Sequence, residues 1–225
     1  MAISAPVALL GGTFDPVHYG HLRFADDVRR ALGLDEVRLI PARDPPHRAG
    51  PAAAAADRLA MLQLGAAEFP GLVVDERELR RDGKSYTVLT LEELRREAPQ
   101  RPLWLLLGAD AFRGLPAWHR WHDIFALAHL VVVARPGVAL TADLPEALAA
   151  EWRRRLTRDP AILFSTPAGA IFEERISPQP IAATEVRAQL ARGDKGRRAV
   201  AGLLPPAVLA YIDQHHLYST PKDAT

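Results

Sequence analysis

The chain contains no cysteine among its 225 residues. This absence excludes disulfide bonds, thiolate nucleophiles and cysteine-based zinc sites. A charge excess of either sign is also missing, because 28 Lys and Arg residues are matched by 27 Asp and Glu residues. The formal net charge of +1 therefore gives no reason to expect nucleic acid as a partner. No apolar run is long enough to span a bilayer, so we expect no membrane partner.

The beginning of the chain lacks the features of a secretory leader. The apolar run Val7–Leu10 has no basic segment before it, and Gly11 and Gly12 follow it at once. This pattern predicts a buried strand instead of a signal peptide. We therefore expect a cytoplasmic protein.

The overall composition is typical of a globular protein, with 48% hydrophobic and 24% charged residues. The length is sufficient for one substantial α/β domain. We predict a single domain over residues 1–218, whose C-terminal part from about residue 178 is helical. The polar residues 219–225 are predicted to be a disordered tail. The sequence is compatible with a homo-oligomer and leaves the oligomeric state open.

Short apolar runs alternate with helical patterns along most of the chain. Continuous Val, Ile and Leu runs between helices indicate a parallel sheet with helices on both faces, which right-handed crossovers make a doubly wound, Rossmann-like α/β fold. The predicted strands are Pro6–Leu10, Val37–Ile40, Leu72–Asp75, Leu103–Leu107, Leu130–Ala134 and Ala161–Phe164. The predicted helices are Leu22–Leu32, Asp57–Glu68, Thr87–Glu97, Trp118–Ala126, Pro145–Leu156, Thr184–Ala191 and Pro205–His215. Residues 41–57 have turn chemistry and no apolar period, which predicts a mobile loop that can act as a lid.

The most informative segment, Gly11–His21, reads Gly-Gly-Thr-Phe-Asp-Pro-Val-His-Tyr-Gly-His directly after the first predicted strand. Its glycines allow a sharp turn and a close approach of the backbone to a ligand. A buried strand, a glycine turn and a helix N-terminus together form an anion site, and ligands of doubly wound sheets bind at the carboxyl ends of the strands. Two histidines at that point, His18 and His21, indicate a phosphate that reacts.

Simpler interpretations of this segment stay open at this point. A pair of glycines alone is more often a tight turn, and a single histidine at a helix start is usually a cap. The His18-x-x-His21 spacing is also that of half a metal site. We predict no protein-bound metal, because the surroundings of this pair are those of a phosphate loop.

Four further segments carry groups that suit phosphate or a helix N-terminus. A cation follows the second strand in Pro45-Pro46-His47-Arg48, and Leu106-Leu107-Gly108-Ala109-Asp110 ends another strand with a glycine turn. Ser85-Tyr86-Thr87 begins a helix, and Thr184 can cap a late helix with Arg187 on its first turn. An arginine at a helix N-terminus suits phosphate through its bidentate fork.

These segments together resemble a known family. The Gly11–His21 loop is similar to the signature of the nucleotidylyltransferase superfamily, and the late Thr-x-x-Arg helix is similar to its second phosphate motif. The combination of Pro-Pro-His-Arg, Ser-Tyr-Thr, Gly-x-Asp, Leu115-Pro116-x-Trp118 and the ending Tyr211-Ile212…Leu217-Tyr218 resembles the bacterial nicotinate mononucleotide adenylyltransferases. The resemblance extends from Leu9 to Tyr218.

The resemblance implies that ATP and nicotinate mononucleotide react to give nicotinate adenine dinucleotide and pyrophosphate, with Mg²⁺ carried by the ATP phosphates. It implies His18, His21 and Arg187 as the catalytic residues. The implied ATP-binding residues are Gly11, Gly12, Thr13, Phe14, His18, His21, Arg48, Gly108, Asp110, Thr184 and Arg187. The implied nicotinate mononucleotide-binding residues are His47, Ser85, Tyr86, Thr87 and Trp118. Backbone N–H groups near Thr87 can donate to a nicotinate carboxylate, which only accepts hydrogen bonds.

Several of these residues have a structural alternative. Trp118 and Trp121 are three residues apart, so one of them is predicted to pack in the core. Asp110 can cap the helix that follows it, and Arg187 can form a surface ion pair. His119, His122, His215 and His216 have no supporting context and are interpreted as surface residues. One departure from the family is alanine at position 182, where its members commonly carry serine.

Two other functions are also compatible with the first motif. A phosphopantetheine adenylyltransferase shares the Gly11–His21 signature but does not need Ser85-Tyr86-Thr87 or the Trp118 segment. A nucleotide-binding regulator without turnover needs the fold but not the reactive groups. The presence of His18, His21 and Arg187 together favours an enzyme.

Overall fold

The computed structural model describes residues 5–44, 50–134, 137, 139–177 and 179–219. These residues form a parallel sheet of seven strands in the order β3-β2-β1-β4-β5-β7-β6. The strands are β1 Val7–Gly12, β2 Val37–Pro41, β3 Leu72–Val74, β4 Leu103–Gly108, β5 His129–Ala134, β6 Leu156–Thr157 and β7 Ile171–Arg175. The strand order reverses its direction between β1 and β4, which is where a ligand crevice forms in sheets of this type. The predicted doubly wound α/β fold is confirmed.

Helices cover both faces of this sheet. They are α1 Tyr19–Ala31, α2 Ala55–Ala66, α3 Arg77–Arg80, α4 Thr87–Glu97, α5 Ala109–Arg113, α6 Trp121–Leu127, α7 Glu146–Arg155, α8 Ala161–Ser165, α9 Ala183–Leu190, α10 Asp194–Val200 and α11 Pro206–Gln214. None of the helices in the described ranges is long and apolar enough to cross a membrane.

Two hydrophobic layers, one on each face, hold the helices to the sheet. Along β4, Trp104 and Leu106 point into one layer, whereas Leu103, Leu105 and Leu107 point into the other, as expected from the alternation of side chains along a strand. The first layer buries residues of α1, α2, α9 and α11, and the second buries residues of α4, α6 and α7. Both layers are apolar, so the central strands β1 and β4 read as continuous hydrophobic runs.

Three details differ from the predictions. Ala161–Phe164 is part of helix α8 and not a strand, because four apolar residues do not distinguish the two structures. The strand next to β5 is instead Ile171–Arg175, which was not predicted because three of its five residues are charged. The helix predicted from Trp118 begins only at Trp121, since Arg120 has a left-handed backbone conformation with φ of 52°.

Candidate active site

A cavity of about 620 Å³ opens at the carboxyl ends of β1 and β4. It brings together residues that are more than a hundred positions apart in the sequence. The predicted site residues that line it are Gly11, Gly12, Thr13, His21, Ser85, Tyr86, Thr87, Gly108, Asp110 and Trp118. The groups predicted for ATP and those predicted for the second substrate therefore face one shared space.

A second depression, of about 590 Å³, lies beside β3 and α3. Its charged side chains are paired with one another: Arg77 binds Asp75 and Glu97, and Arg81 binds Glu93. This ion-pair cluster contains none of the predicted site residues. The cavity at β1 and β4 is therefore the candidate active site.

The first half of the site is the turn that follows β1. A Cβ atom on Gly12 would lie 3.0 Å from the ring of Phe14, so glycine is needed for this close approach. Phe14 itself has a φ of 48°, is 1% exposed and packs in the core beneath the turn. The rings of Phe14 and His21 are nearly perpendicular, with their centroids 5.1 Å apart. The buried position of the Phe14 ring gives it no share of the cavity wall, and its predicted contact with ATP stays a prediction.

The two histidines of the motif occupy different environments. The rings of His18 and His21 stack with centroids 3.7 Å apart at the start of α1. His21 lines the cavity, whereas His18 lies behind it and is 3% exposed. Burial lowers the pKa of His18 to about 4, so its imidazole is neutral near pH 7. Gly20 makes this stack possible, since a Cβ there would lie 2.9 Å from Nδ1 of His18.

The second half of the site begins at the N-terminus of α4. Tyr86 is the N-cap residue and Thr87 the first helical residue, as the sequence predicted. The first N–H groups of a helix have no acceptor inside it, and the helix dipole there favours an anion. Ser85 accepts hydrogen bonds at Oγ from the backbone N–H groups of Arg43, at 2.9 Å, and Asp44, at 3.4 Å. Ser85 thus holds the end of β2 against α4.

Aromatic groups line the cavity near the start of α4. Trp118 is half-buried and lines the cavity after a short 3-10 turn, whereas Trp121 is 8% exposed and packs in the core. This division is the one predicted for the pair. His119, interpreted from the sequence as a surface residue without context, also lines the cavity, and its ring lies 4.3 Å from that of Tyr86. The second half of the site therefore has more aromatic surface than the sequence predicted.

The turn after β4 lies between the two halves. Gly108 is the N-cap residue of α5, and no Cβ built on it would meet another atom within 4 Å. Asp110 lies in the first turn of α5, is fully exposed and forms an ion pair with Arg113 at 3.1 Å. Its carboxylate does not cap α5. The alternative interpretation of Asp110 as a capping residue is therefore wrong.

The late Thr-x-x-Arg segment lies on the outer side of the phosphate loop. Helix α9 begins at Ala183 with Ala182 as its N-cap residue, so Thr184 does not cap it and Arg187 lies beyond its first turn. Arg187 donates from Nη1 to the carbonyl oxygen of Asp15 at 2.6 Å, and its Nη2 lies 3.4 Å from Thr184 Oγ1. The predicted residues His47 and Arg48 lie outside the described residues.

Sequence reasoning missed a group of buried polar residues beneath the phosphate loop. Arg58 is 1% exposed and donates to the carbonyl oxygen of Thr13 at 2.7 Å. Asp15 is 4% exposed and accepts hydrogen bonds from the N–H groups of Ala52 and Ala53. The alanine run at 52–56, which has no apparent role in the sequence, therefore anchors the loop through its backbone. An apolar run does not signal such a contact.

One residue that was not predicted from the sequence belongs to the second half of the site. Glu78 is 8% exposed, lines the cavity and accepts a hydrogen bond from Thr90 Oγ1 at 2.6 Å. Burial raises the pKa of Glu78 despite this bond and a nearby arginine, Arg81. The signal in the sequence was an acidic residue within an otherwise charged surface segment, which is not distinctive.

The chemistry of a bound cation can be tested on the residues present. Within the described ranges, no group of three or more His, Asp or Glu side chains is arranged to hold a metal ion. Mg²⁺ is commonly held by substrate phosphates, waters and only one or two carboxylates. The donor set of this cavity thus suits an ion that arrives with a nucleotide.

Comparison with known proteins gives a consistent family assignment. The model of the cytidylyltransferase-like family matches residues 9–189. The chain is 53% identical over 219 residues to a probable nicotinate-nucleotide adenylyltransferase of Laribacter hongkongensis, covering 97% of this chain and 96% of that protein. It is 50% identical over 216 residues to the protein of the same description from Halorhodospira halophila, covering 96% of each.

Solved structures agree with the observed fold. A Plasmodium falciparum nicotinic acid mononucleotide adenylyltransferase complexed with NaAD superposes with a TM-score of 0.71 at 15% identity, covering 95% of this chain and 97% of that one. The same enzyme complexed with APC gives a TM-score of 0.68 with the same coverage. At this identity the likeness is one of fold.

Proposed function

Because the chain belongs to the cytidylyltransferase-like family and, within it, to the nicotinate-nucleotide adenylyltransferases, we propose that it transfers the adenylyl group of ATP to nicotinate mononucleotide. The family predicted from the sequence motifs is confirmed by these relatives. The products of the proposed reaction are nicotinate adenine dinucleotide and pyrophosphate, a step in the synthesis of NAD. The observation that carries the proposal is the shared cavity, which joins the phosphate loop to the N-terminus of α4 and to Trp118.

The reaction needs no protein nucleophile. A phosphate oxygen of nicotinate mononucleotide forms a bond to the α-phosphorus of ATP, the bond from that phosphorus to the β-phosphate oxygen breaks, and pyrophosphate leaves with the electron pair. The attacking oxygen is already anionic near pH 7, so no general base is required. The protein then has to align two anions and stabilise the charge that develops at the α-phosphate.

The phosphate loop supplies the groups for this task. The N–H groups of Gly12 and Thr13 and the positive end of α1 favour the ATP phosphates, and His21 adds an imidazole from the cavity wall. His18 is neutral and buried, so we assign it the support of His21 by stacking in place of a charged contact. Arg187 holds the loop through the carbonyl oxygen of Asp15, and its assignment to the ATP phosphates rests on the family motif alone.

Mg²⁺ belongs to the proposed reaction as a partner of the ATP phosphates, where it neutralises part of their charge. Asp110 is an exposed carboxylate at the cavity and the residue best placed to approach such a complex or a ribose. Arg48 and His47 remain candidates for closing over the phosphates, on the strength of the family motif alone.

The acceptor half suits a planar ring that bears a carboxylate. The first N–H groups of α4, at Thr87 and its neighbour, face an anion favourably, and Trp118 offers a ring for stacking. A carboxylate only accepts hydrogen bonds, whereas a carboxamide presents an N–H group to these donors. We therefore propose discrimination in favour of nicotinate over nicotinamide mononucleotide.

The proposal is tested by identifying the product. The purified protein is incubated with ATP, Mg²⁺ and one acceptor at a time: nicotinate mononucleotide, nicotinamide mononucleotide or phosphopantetheine. We expect nicotinate mononucleotide to give a dinucleotide of the mass of nicotinate adenine dinucleotide together with one equivalent of pyrophosphate. Faster transfer to phosphopantetheine would replace the proposed acceptor, and nucleotide binding without any product would indicate a regulator.

A further inference from the structure

The C-terminal Tyr211-Ile212…Leu217-Tyr218 motif has no part in the chemistry described so far. Helix α11 ends at Gln214, and the chain then reverses its direction through left-handed conformations at His216, with φ of 52°, and Tyr218, with φ of 59°. Such conformations cost about 1 kcal/mol or more in non-glycine residues and persist where surrounding contacts fix them. We therefore expect the contacts of Tyr218 to fix the chain in this conformation.

Tyr218 contacts the phosphate loop directly. Its hydroxyl donates to Oδ1 of Asp15 at 2.6 Å, across 203 positions of sequence. Burial and this hydrogen bond raise the pKa of Tyr218, so the phenol keeps its proton near pH 7 and can donate. The contact is thus a hydrogen bond between the C-terminal segment and a residue inside the Gly11–His21 motif.

Asp15 also forms hydrogen bonds with other parts of the site. Its Oδ2 accepts from the N–H of Ala52 at 2.7 Å, and its Oδ1 accepts from the N–H of Ala53 at 3.1 Å. Arg187 binds the carbonyl oxygen of the same residue. A buried carboxylate with three donors is held in place by them, and such a satisfied polar network makes the surrounding backbone more rigid.

We propose that Tyr218 is a positioning residue of the ATP site, which acts through the Asp15 carboxylate to hold the Gly11–Thr13 turn in its phosphate-binding geometry. The inference rests on the proposed function, because it assumes that this turn binds ATP. Under this proposal the C-terminal segment completes the nucleotide site although it touches neither substrate. Its effect is expected on ATP and not on nicotinate mononucleotide.

Tyr211 provides a matched control on the same segment. Its hydroxyl donates to Oδ1 of Asp57 at 3.0 Å, which joins α11 to α2 by the same chemistry. Asp57 lies on α2 and not in the phosphate loop. If these tyrosines only attach the C-terminus to the protein, removal of either hydroxyl will have the same consequences.

The test compares Tyr218→Phe with Tyr211→Phe in the full chain. The affinity for a non-hydrolysable ATP analogue is measured by calorimetry, the KM of each substrate by pyrophosphate release, and the Tm by thermal unfolding. We expect Tyr218→Phe to weaken analogue binding about 10-fold, because the buried Oδ1 of Asp15 loses the shorter of its two hydrogen bonds. Tyr211→Phe is expected to leave analogue affinity at the wild-type value, and neither variant should change the KM for nicotinate mononucleotide.

A double-mutant cycle with Asp15→Asn identifies the route of the effect. If Tyr218 acts through Asp15, the loss caused by Tyr218→Phe becomes smaller in the Asp15→Asn background. Wild-type affinity of Tyr218→Phe, or an equal loss in Tyr211→Phe, would overturn the inference. If the wild-type protein binds the analogue but transfers no adenylyl group to nicotinate mononucleotide, the proposed function fails, while the binding comparison still decides the role of Tyr218.

Discussion

The two halves of the cavity are built in different ways. The phosphate half is one continuous loop, Gly11–His21, fixed from below by Arg58 and from the far end of the chain by Arg187 and Tyr218. The acceptor half is assembled from three separate segments, namely the start of α4, the turn after β4 and the residues around Trp118. The phosphate half depends on hydrogen bonds between buried polar groups. The acceptor half depends on side-chain surfaces that line the cavity and on the N–H groups at the start of α4.

This difference separates the expected effects of substitution. A change in the phosphate half disturbs charge stabilisation and folding together, because the same buried groups serve both. A change in the acceptor half is expected to alter recognition first, because its groups line the cavity. Four substitutions test this separation; the one with the largest expected effect comes first and the one with the smallest comes last.

The largest effect is expected for His21→Ala. His21 is the motif histidine on the cavity wall, and loss of one preorganised donor of this kind lowers kcat by about 10²–10³-fold. Steady-state pyrophosphate release with ATP and nicotinate mononucleotide measures the change. His215→Ala, at the exposed end of α11, is the control and should keep the wild-type kcat. A near-normal kcat for His21→Ala would remove this residue from the mechanism.

Arg58→Met tests the support beneath the phosphate loop. The substitution retains an unbranched side chain but deprives the carbonyl oxygen of Thr13 of its donor. We expect the free energy of unfolding to fall by about 2–3 kcal/mol, the contribution of a hydrogen bond from a charged group at a buried site. Urea unfolding measures this loss. Arg80→Met removes an exposed ion pair with Glu76 and should cost less than about 1 kcal/mol. Equal losses would show that the loop does not depend on Arg58.

The buried His18 predicts a pH dependence of stability. Its pKa is about 4 in the folded protein, against an ordinary value of 6.5, because burial disfavours the charged ring. Between these values the unfolded chain binds the proton and the folded one does not, so stability falls as the pH decreases from 6.5 towards 4. The loss approaches roughly 3 kcal/mol at the lower end.

The comparison of wild type with His18→Gln isolates this effect. Unfolding free energies of the two proteins are measured between pH 4 and 7.5, where the value at pH 7.5 reports the packing difference alone. We expect a smaller pH slope in the variant. Some slope persists, because burial also lowers the pKa of His129. An unchanged slope would contradict a buried, neutral His18.

Trp118→Ala is expected to have the smallest effect and to act only on the acceptor. Stacking of a base-like ring on an aromatic side chain contributes about 1–3 kcal/mol, so the KM for nicotinate mononucleotide should rise about 10-fold or more. The KM for ATP should stay at its wild-type value. His122→Ala, on the neighbouring helix α6 outside the cavity, is the control for the acceptor KM. A rise in the KM for ATP would contradict the division between the two halves.

The contiguous features of the molecule were predictable from the sequence. Buried parallel strands read as unbroken apolar runs, and the Gly11–His21 loop places its glycines and histidines within eleven residues. Strand Ile171–Arg175 was missed because three of its five residues are charged. The Thr184 cap was wrong because α9 begins one residue earlier than the threonine.

The long-range features could not be predicted in the same way. Asp15 binds a tyrosine 203 positions away, and no local pattern connects them. Phe14 belongs to the loop in sequence but points into the core, since its left-handed backbone turns the side chain away from the cavity. His119 lies at the cavity just before the turn at Arg120, and the helix predicted from Trp118 onwards did not include this turn.

The most direct test of the account is the ratio of kcat/KM for nicotinate mononucleotide to that for nicotinamide mononucleotide, measured by pyrophosphate release at saturating ATP. A carboxamide leaves helix-end donors of α4 without an acceptor, so the account predicts a ratio of about 10–100 in favour of nicotinate. Equal values of kcat/KM for the two acceptors would contradict carboxylate recognition at α4 and with it the proposed function of the acceptor half.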